Sequence, residues 1–164
     1  MSDVRRKVTR DQIVDCARSW LGVIWRHQGR NRSGVDCGGL VACVGQGIGV
    51  FPVEADAFGY DRLPTLNLMV RTMSGWMRKK TGPEFDDRRL GDVVVMKPTN
   101  AYKWPSHLGI LSRLPSGELG MIHSYNAVGT QFGVEKDGVI ETHYAGWWDN
   151  TVALFEYPGL IREE

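Results

Sequence analysis

The sequence is poor in several things that would have settled its class at once. It has only three cysteines, Cys16, Cys37 and Cys43. An odd number leaves at least one thiol free or paired with another chain, so a disulfide framework is a poor explanation of them. None of them forms a Cys-x-x-Cys pair with histidines at zinc spacing, so neither metal nor cofactor is called for. No apolar run approaches the roughly 20 residues that cross a bilayer, so no membrane insertion is expected. Charge of one sign is missing too: 20 basic against 19 acidic residues leave +1, which gives no global field to draw the chain to nucleic acid or an anionic membrane. The opening MSDVRRKVTRDQ lacks the apolar centre and small-residue cleavage site of a signal peptide, and no Sec-type export is expected.

What remains is an ordinary folding composition, 42% hydrophobic and 24% charged over 164 residues, read as one domain spanning 1–164. From Asp11 to Leu21, apolar residues recur at helical steps after Thr9 or Asp11 as caps. Residues 23–35, rich in Gly, Asn, Ser and Arg, read as a loop. A second helix is expected over Cys37–Ile48 despite its glycines, whose presence asks for a packing or site reason. A third follows Pro64, with Leu66, Met69, Val70, Met73, Trp76 and Met77 on one face and Arg78, Lys79 and Lys80 at its negative end. Beyond Gly91 come five short runs rich in Val, Ile and aromatics: 92–96, 108–112, 121–125, 139–143 and 152–157. Helices first and strands afterwards, joined by connections too short for crossover helices, predict an α+β domain with the helices packed on a five-stranded antiparallel sheet.

One cysteine and two histidines stand at chemically suggestive places. Cys37 lies where the turn 34–36 meets the second helix, and a sulfur at a helix N-terminus is expected to favour thiolate. Gly38 and Gly39 after it would let a substrate backbone approach. His107 opens an apolar strand, where a base is held rigidly, and His123 falls sixteen positions later in the next strand, within reach to fix the first imidazole's tautomer. Taken singly, each is more often a core or structural residue, and it is their joint placement that favours a nucleophile, a base and an orienting group. Cys16 and Cys43 are read as core thiols, His27 as a polar-loop residue and His143 as the end of a strand.

The segment Gly34-Val35-Asp36-Cys37-Gly38-Gly39-Leu40-Val41 resembles the Asp-Cys-Ser-Gly-Leu-Val signature of NlpC/P60 cysteine peptidases. Three further segments match in order: the helix ending Leu21-Gly22-Val23-Ile24-Trp25, the turn Arg89-Leu90-Gly91-Asp92-Val93, and Ser106-His107-Leu108-Gly109-Ile110, with Met121-Ile122-His123-Ser124 as the strand of the third polar residue. The segments 26–30 and 139–143, and Trp147-Trp148, look most like the phage subgroup of tail and cell-wall peptidases. The resemblance implies a papain-like fold and a Cys37–His107–His123 triad. Trp25, Asp36, Gly38 and Ser106 are expected to flank the substrate. The implied substrate is the peptidoglycan stem peptide, cut between γ-D-glutamate and a diamino acid. The implied setting is a virion tail tip beside other tail-tip or hub proteins, the chain being made in the host cytoplasm. Gly38 stands where the family has Ser, and Trp25 where it has a Tyr that assists the oxyanion. A structural tail-tip subunit of the same fold, and an acyl- or aminotransferase using the same triad, are the competing readings.

Overall fold

The computed structural model describes residues 6–55, 67–126 and 137–162. Its first helix, α1 (Arg10–Arg18), starts where a capping box predicts: the Thr9 hydroxyl accepts from Gln12 N at 3.1 Å, and the Gln12 side chain accepts from Thr9 N at 2.9 Å. It buries Ile13, Val14 and Ala17 and ends three residues before the expected Leu21. The 23–35 segment is more ordered than a loop. Arg30–Asn31 (β1) and Gly34–Val35 (β2) form a small hairpin, and Trp25 bridges to Val35 in parallel.

The second helix, α2 (Cys37–Gly47), is almost wholly buried, from Cys37 and Gly39 through Gly45. Its glycines have a packing reason. A β-carbon on Gly45 would run into the Phe51 ring, and one on Gly39 would collide with the Gly29 carbonyl. The third helix, α3 (Leu68–Trp76), buries Met69 and Met73. The expected onset from Pro64 to Leu66 lies outside the described residues.

The basic run after α3 does not close that helix. Met77 is extended, and Arg78–Lys80 form a strand, β3, paired with the C-terminal strand. The reason is electrostatic: Lys80, 2% exposed, meets the fully buried Asp92 at 2.8 Å, and Arg78 meets Glu156 at 2.8 Å. These cations neutralise buried carboxylates instead of a helix dipole.

The main sheet among the described residues therefore has six strands rather than the expected five. They are β3, β4 (Val93–Met96), β5 (His107–Arg113), β6 (Leu119–Tyr125), β7 (Gly138–His143) and β8 (Thr151–Glu156). All pair antiparallel in the order β3-β8-β4-β5-β6-β7. Alternating residues give the sheet two faces. Val93, Val95, Leu108, Ile110 and Ile122 pack with α1 and α2, while Val94, Met96, Leu111 and Met121 pack with Tyr144 and Trp147. The latter pair belongs to or adjoins a 3₁₀ turn, Ala145–Asn150, ahead of β8. Helices and an antiparallel sheet in this arrangement are the expected α+β class. No described helix is long and apolar enough to cross a membrane, and no described group of His, Cys, Asp and Glu could hold a metal ion.

Candidate active site

Asp36 makes Cys37 the first residue of a helix. Its Oδ1 accepts from Gly39 N at 2.7 Å as the N-cap, and from Arg30 Nη1 at 3.0 Å. Its Oδ2 accepts from Gln28 N at 2.7 Å. The carboxylate thus ties the 26–31 segment to the start of α2, and its role in the structure is to build the site. Gly39, expected to leave room for substrate, is filled in by the Gly29 carbonyl and the Arg30 side chain. Gly38 is half-buried and lines a small recess with Arg30, Ala42 and Phe51.

The Cys37 side chain turns to the start of β5. Its thiol lies 3.9 Å from the Ser106 carbonyl, and the Leu108 and Gly38 amides act on the sulfur in the direction that favours thiolate. The thiol therefore faces the backbone just before His107, while a hydrogen bond to the imidazole is not among its contacts. The expectation of a thiolate does not hold. Burial, with Asp36 beside it, pushes the thiol up to about 12, and the amides that pull the other way are outweighed. Ser106 presents its carbonyl to the thiol and donates its N–H to Met96 O at 3.1 Å.

His107 falls in the strand phase of Gly109 and Leu111, on the face away from the helices. Gly109 leaves room there for the Met121 side chain, which a β-carbon would meet. His107 Nε2 lies 2.7 Å from His123 Nδ1, and His123 Nε2 lies 2.9 Å from Thr142 Oγ1. Both imidazoles are buried, at 8% and 1% exposure, and burial holds His107 down to about 4 and His123 well below the usual histidine range. Trp147 covers them: its ring is tilted 32° over His107 at 5.4 Å and stands edge-on to His123 at 6.0 Å. The Tyr125 ring stands edge-on to both, at 5.9 and 5.7 Å.

The structure thus joins His107 to His123 and brings Cys37 against the backbone that carries His107. It adds Thr142 and Trp147, which sequence reasoning did not select. Trp25, half-buried, stacks with His27 at 6.4 Å, and its backbone bridges Val35, two residues before Cys37. Cys43 is buried and Cys16 half-buried. His143 ends β7, exposed, 3.2 Å from Glu118.

The chemistry open to this arrangement follows from the tautomers. Nε2 of His107 is committed to His123, which leaves Nδ1 for a thiol proton. Nδ1 is a base only if Nε2–H donates to His123 Nδ1, and then His123 Nε2–H must donate to the Thr142 hydroxyl. If Thr142 donates instead, every proton shifts by one bond and His107 Nδ1 already carries one.

No protein-family model matches the sequence, and no curated protein matches it. Solved structures do. The chain is similar to an NlpC/P60 family protein from Bacillus cereus, with TM-score 0.62 and 15% identity over 93% of this chain and 41% of that one. It is similar to a lipoprotein-like NLP/P60 family protein from Staphylococcus aureus, with TM-score 0.55 and 14% identity over 96% of this chain and 45% of that one. It is also similar to the NlpC/P60 domain of the peptidoglycan hydrolase SagA, with TM-score 0.54 and 17% identity over 91% of this chain and 99% of that domain. The chain spans under half the length of the first two and nearly all of the third. What it shares with them is the NlpC/P60 fold.

Proposed function

We propose that this protein is a cysteine peptidase that cleaves peptidoglycan stem peptides, with Cys37 as nucleophile, His107 as base and then acid, and His123 as the orienting group. The observation that carries the reading is the hydrogen-bonded chain His107–His123–Thr142, which begins one residue after the Ser106 carbonyl that the Cys37 thiol faces. The fold neighbours support the substrate class, one of them being a peptidoglycan hydrolase domain.

The resting pair is a neutral thiol and a neutral imidazole. Proton transfer from Cys37 Sγ to His107 Nδ1 therefore accompanies attack on the amide carbonyl instead of preceding it. The amides at the start of α2 face the developing oxyanion. His107 returns the proton to the leaving amine, and water then hydrolyses the thioester. On this reading Trp25, in the loop before β1, and Ser106, at the start of β5, flank the bound peptide. The bond is the one between γ-D-glutamate and a diamino acid. The setting is a phage tail tip, a reading supported by the sequence segments 26–30, 139–143 and 147–148.

A second reading has its own observation. The thiol is raised and bonded to backbone, which suits a tail-tip subunit that keeps the fold without turnover. Digesting purified peptidoglycan and weighing the fragments decides between them. The peptidase produces a new amino terminus at the diamino acid, and Cys37→Ala produces none while Cys16→Ala and Cys43→Ala remain active. Intact stem peptides after incubation with folded wild-type protein refute the peptidase in favour of the structural subunit, and transfer of the acyl group to an added amine in place of water marks a transferase.

A further inference from the structure

At the far end of β5 from His107, six residues or about 20 Å along the strand, lies a cavity of about 600 Å³ between the start of α1, β3 and the turn leading into β4. Its wall carries seven cationic side chains against four carboxylates. The buried Asp92 beneath it takes Arg10 and Lys80, at 2.9 and 2.8 Å. Glu156 is shared by Arg10, Arg78 and Arg162 at 3.2, 2.8 and 3.5 Å. With Asp92 counted, the cavity still keeps a surplus of about two positive charges.

Arg88 is the informative member. It is 8% exposed and lines the cavity, yet meets no carboxylate. Its Nε donates to Phe85 O at 3.2 Å, and its Nη1 to the Tyr144 hydroxyl and to Trp148 O. Among the described residues its Nη2 makes no hydrogen bond. The guanidinium is fixed in direction by the Trp148 ring at 3.7 Å and the Phe85 ring at 4.7 Å. A buried cation that meets only neutral acceptors, with a free pair of donors on the wall of a positively charged cavity, lacks its counter-ion. Arg113 at the end of β5 has one bond, Nη1 to Gly117 O at 2.8 Å, and Arg162 is 63% exposed at its side chain. Both have donors to spare.

We propose that this cavity binds a dianionic oxyanion of the phosphate type, free or as a terminal monoester, anchored on Arg88 Nη2 and closed by Arg113 and Arg162. A double charge answers the surplus, and the planar guanidinium fork matches two oxygens of one phosphate. A single carboxylate leaves half of the surplus unanswered.

The test is calorimetric titration of the whole chain near pH 7.5 with inorganic phosphate, glycerol 3-phosphate and acetate at one ionic strength, together with thermal unfolding in the same solutions. Phosphate binds and raises the unfolding temperature with concentration, and acetate does neither. Glycerol 3-phosphate binding as well identifies a terminal monoester, and phosphate alone identifies the free ion. Arg113→Gln and Arg162→Gln, both at the surface, keep the fold and each weaken binding several-fold. Arg88→Gln weakens it by about tenfold or more, provided its far-ultraviolet spectrum is native. If Arg88→Gln does not fold, the two surface variants decide alone. Equal effects of acetate and phosphate, or unchanged affinity in the surface variants, overturn the proposal. Because binding is read without turnover, the outcome is independent of the peptidase reading.

Discussion

Replacing Thr142 by valine isolates one hydroxyl of the relay while keeping a side chain of nearly the same shape. In the wild type, the tautomer that makes His107 Nδ1 a base obliges His123 Nε2–H to donate across 2.9 Å to Thr142 Oγ1. Valine leaves that N–H facing a methyl group. A buried donor without a partner costs about 1–3 kcal/mol. Thr142 is half-buried, so water recovers part of this, and the shifted chain leaves His123 Nε2 a bare acceptor against the same methyl; the bias between the tautomers is the difference of the two losses, up to about 1 kcal/mol. The chain escapes by moving both protons. His123 then donates from Nδ1 to His107 Nε2, and His107 carries its proton on Nδ1, where it cannot accept one from sulfur.

A bias of that size lowers the competent tautomer, and with it kcat, by up to about 5-fold. KM changes little, because Thr142 meets His123 at the ring nitrogen that does not bond His107. Thr142→Ser restores the rate. Steady-state hydrolysis of a soluble stem peptide measures the first effect, and nitrogen-15 spectra of the two imidazoles read the tautomers directly, without substrate. Unchanged tautomers and wild-type kcat in Thr142→Val refute the relay. Equal losses in the valine and serine variants assign Thr142 to packing alone.

His107→Ala loses more activity than His123→Ala, because the first exchanges protons with sulfur and leaving group, a contribution of typically about 10² to 10⁴ in rate; equal or inverted losses in steady-state rates mean that the roles are misassigned. Iodoacetamide alkylates Cys37 slowly at pH 7 and faster only as the pH climbs towards the raised value near 12, and rapid labelling below pH 8, read by mass spectrometry, contradicts the buried thiol. An unfolded imidazole titrates near 6.5 and folded His107 near 4, so the unfolded chain binds more protons between those values; stability therefore falls by about 3 kcal/mol as the pH drops through that window, with His123 acting in the same direction. Denaturant midpoints that stay flat from pH 7 to 4.5 exclude it. Asp36→Ala loses the cap of α2, about 1–2 kcal/mol, and more where Arg30 is left without its carboxylate; it lowers the unfolding temperature as well as turnover, and a native melting curve in the variant removes Asp36 from the scaffold.

Elements that announce themselves locally were legible in the sequence. The Thr9–Gln12 box and the spacing of Ile13, Ala17 and their neighbours place α1 within a few residues, and the β-branched runs after Gly91 locate five of the six strands. The sixth was misread because Arg78–Lys80 fits a helix terminus on local grounds, and only the distant Asp92 and Glu156 make it a strand. The placement of Cys37 at a helix tip, His107 at a strand start and His123 within the next strand was legible from pattern. Thr142 was not: it becomes a neighbour of His123 only through the register that pairs His123 with Ile140 and leaves Thr142 two residues along on the same face. Trp147 reaches the imidazoles through a 3₁₀ turn with no periodic signal.

The thiol's state carries the same lesson into chemistry. Position at a helix tip argued for a thiolate, and nearby amides do pull in that direction, but the tip is buried against the start of β5 and desolvation decides. The segment 34–39 then divides its work. Asp36 gives its oxygens to Gly39, Gln28 and Arg30, Gly39 gives its missing side chain to the Gly29 carbonyl, and Val35 offers its carbonyl to Ser124 at 2.6 Å. These contacts fix where α2 begins, and Cys37 is left to face β5. On the proposed reading, a nucleophile kept neutral in this way depends on a base with the correct nitrogen bare. His107 has no charge partner among its contacts to secure that, so the choice passes along the hydrogen bonds through His123 to Thr142.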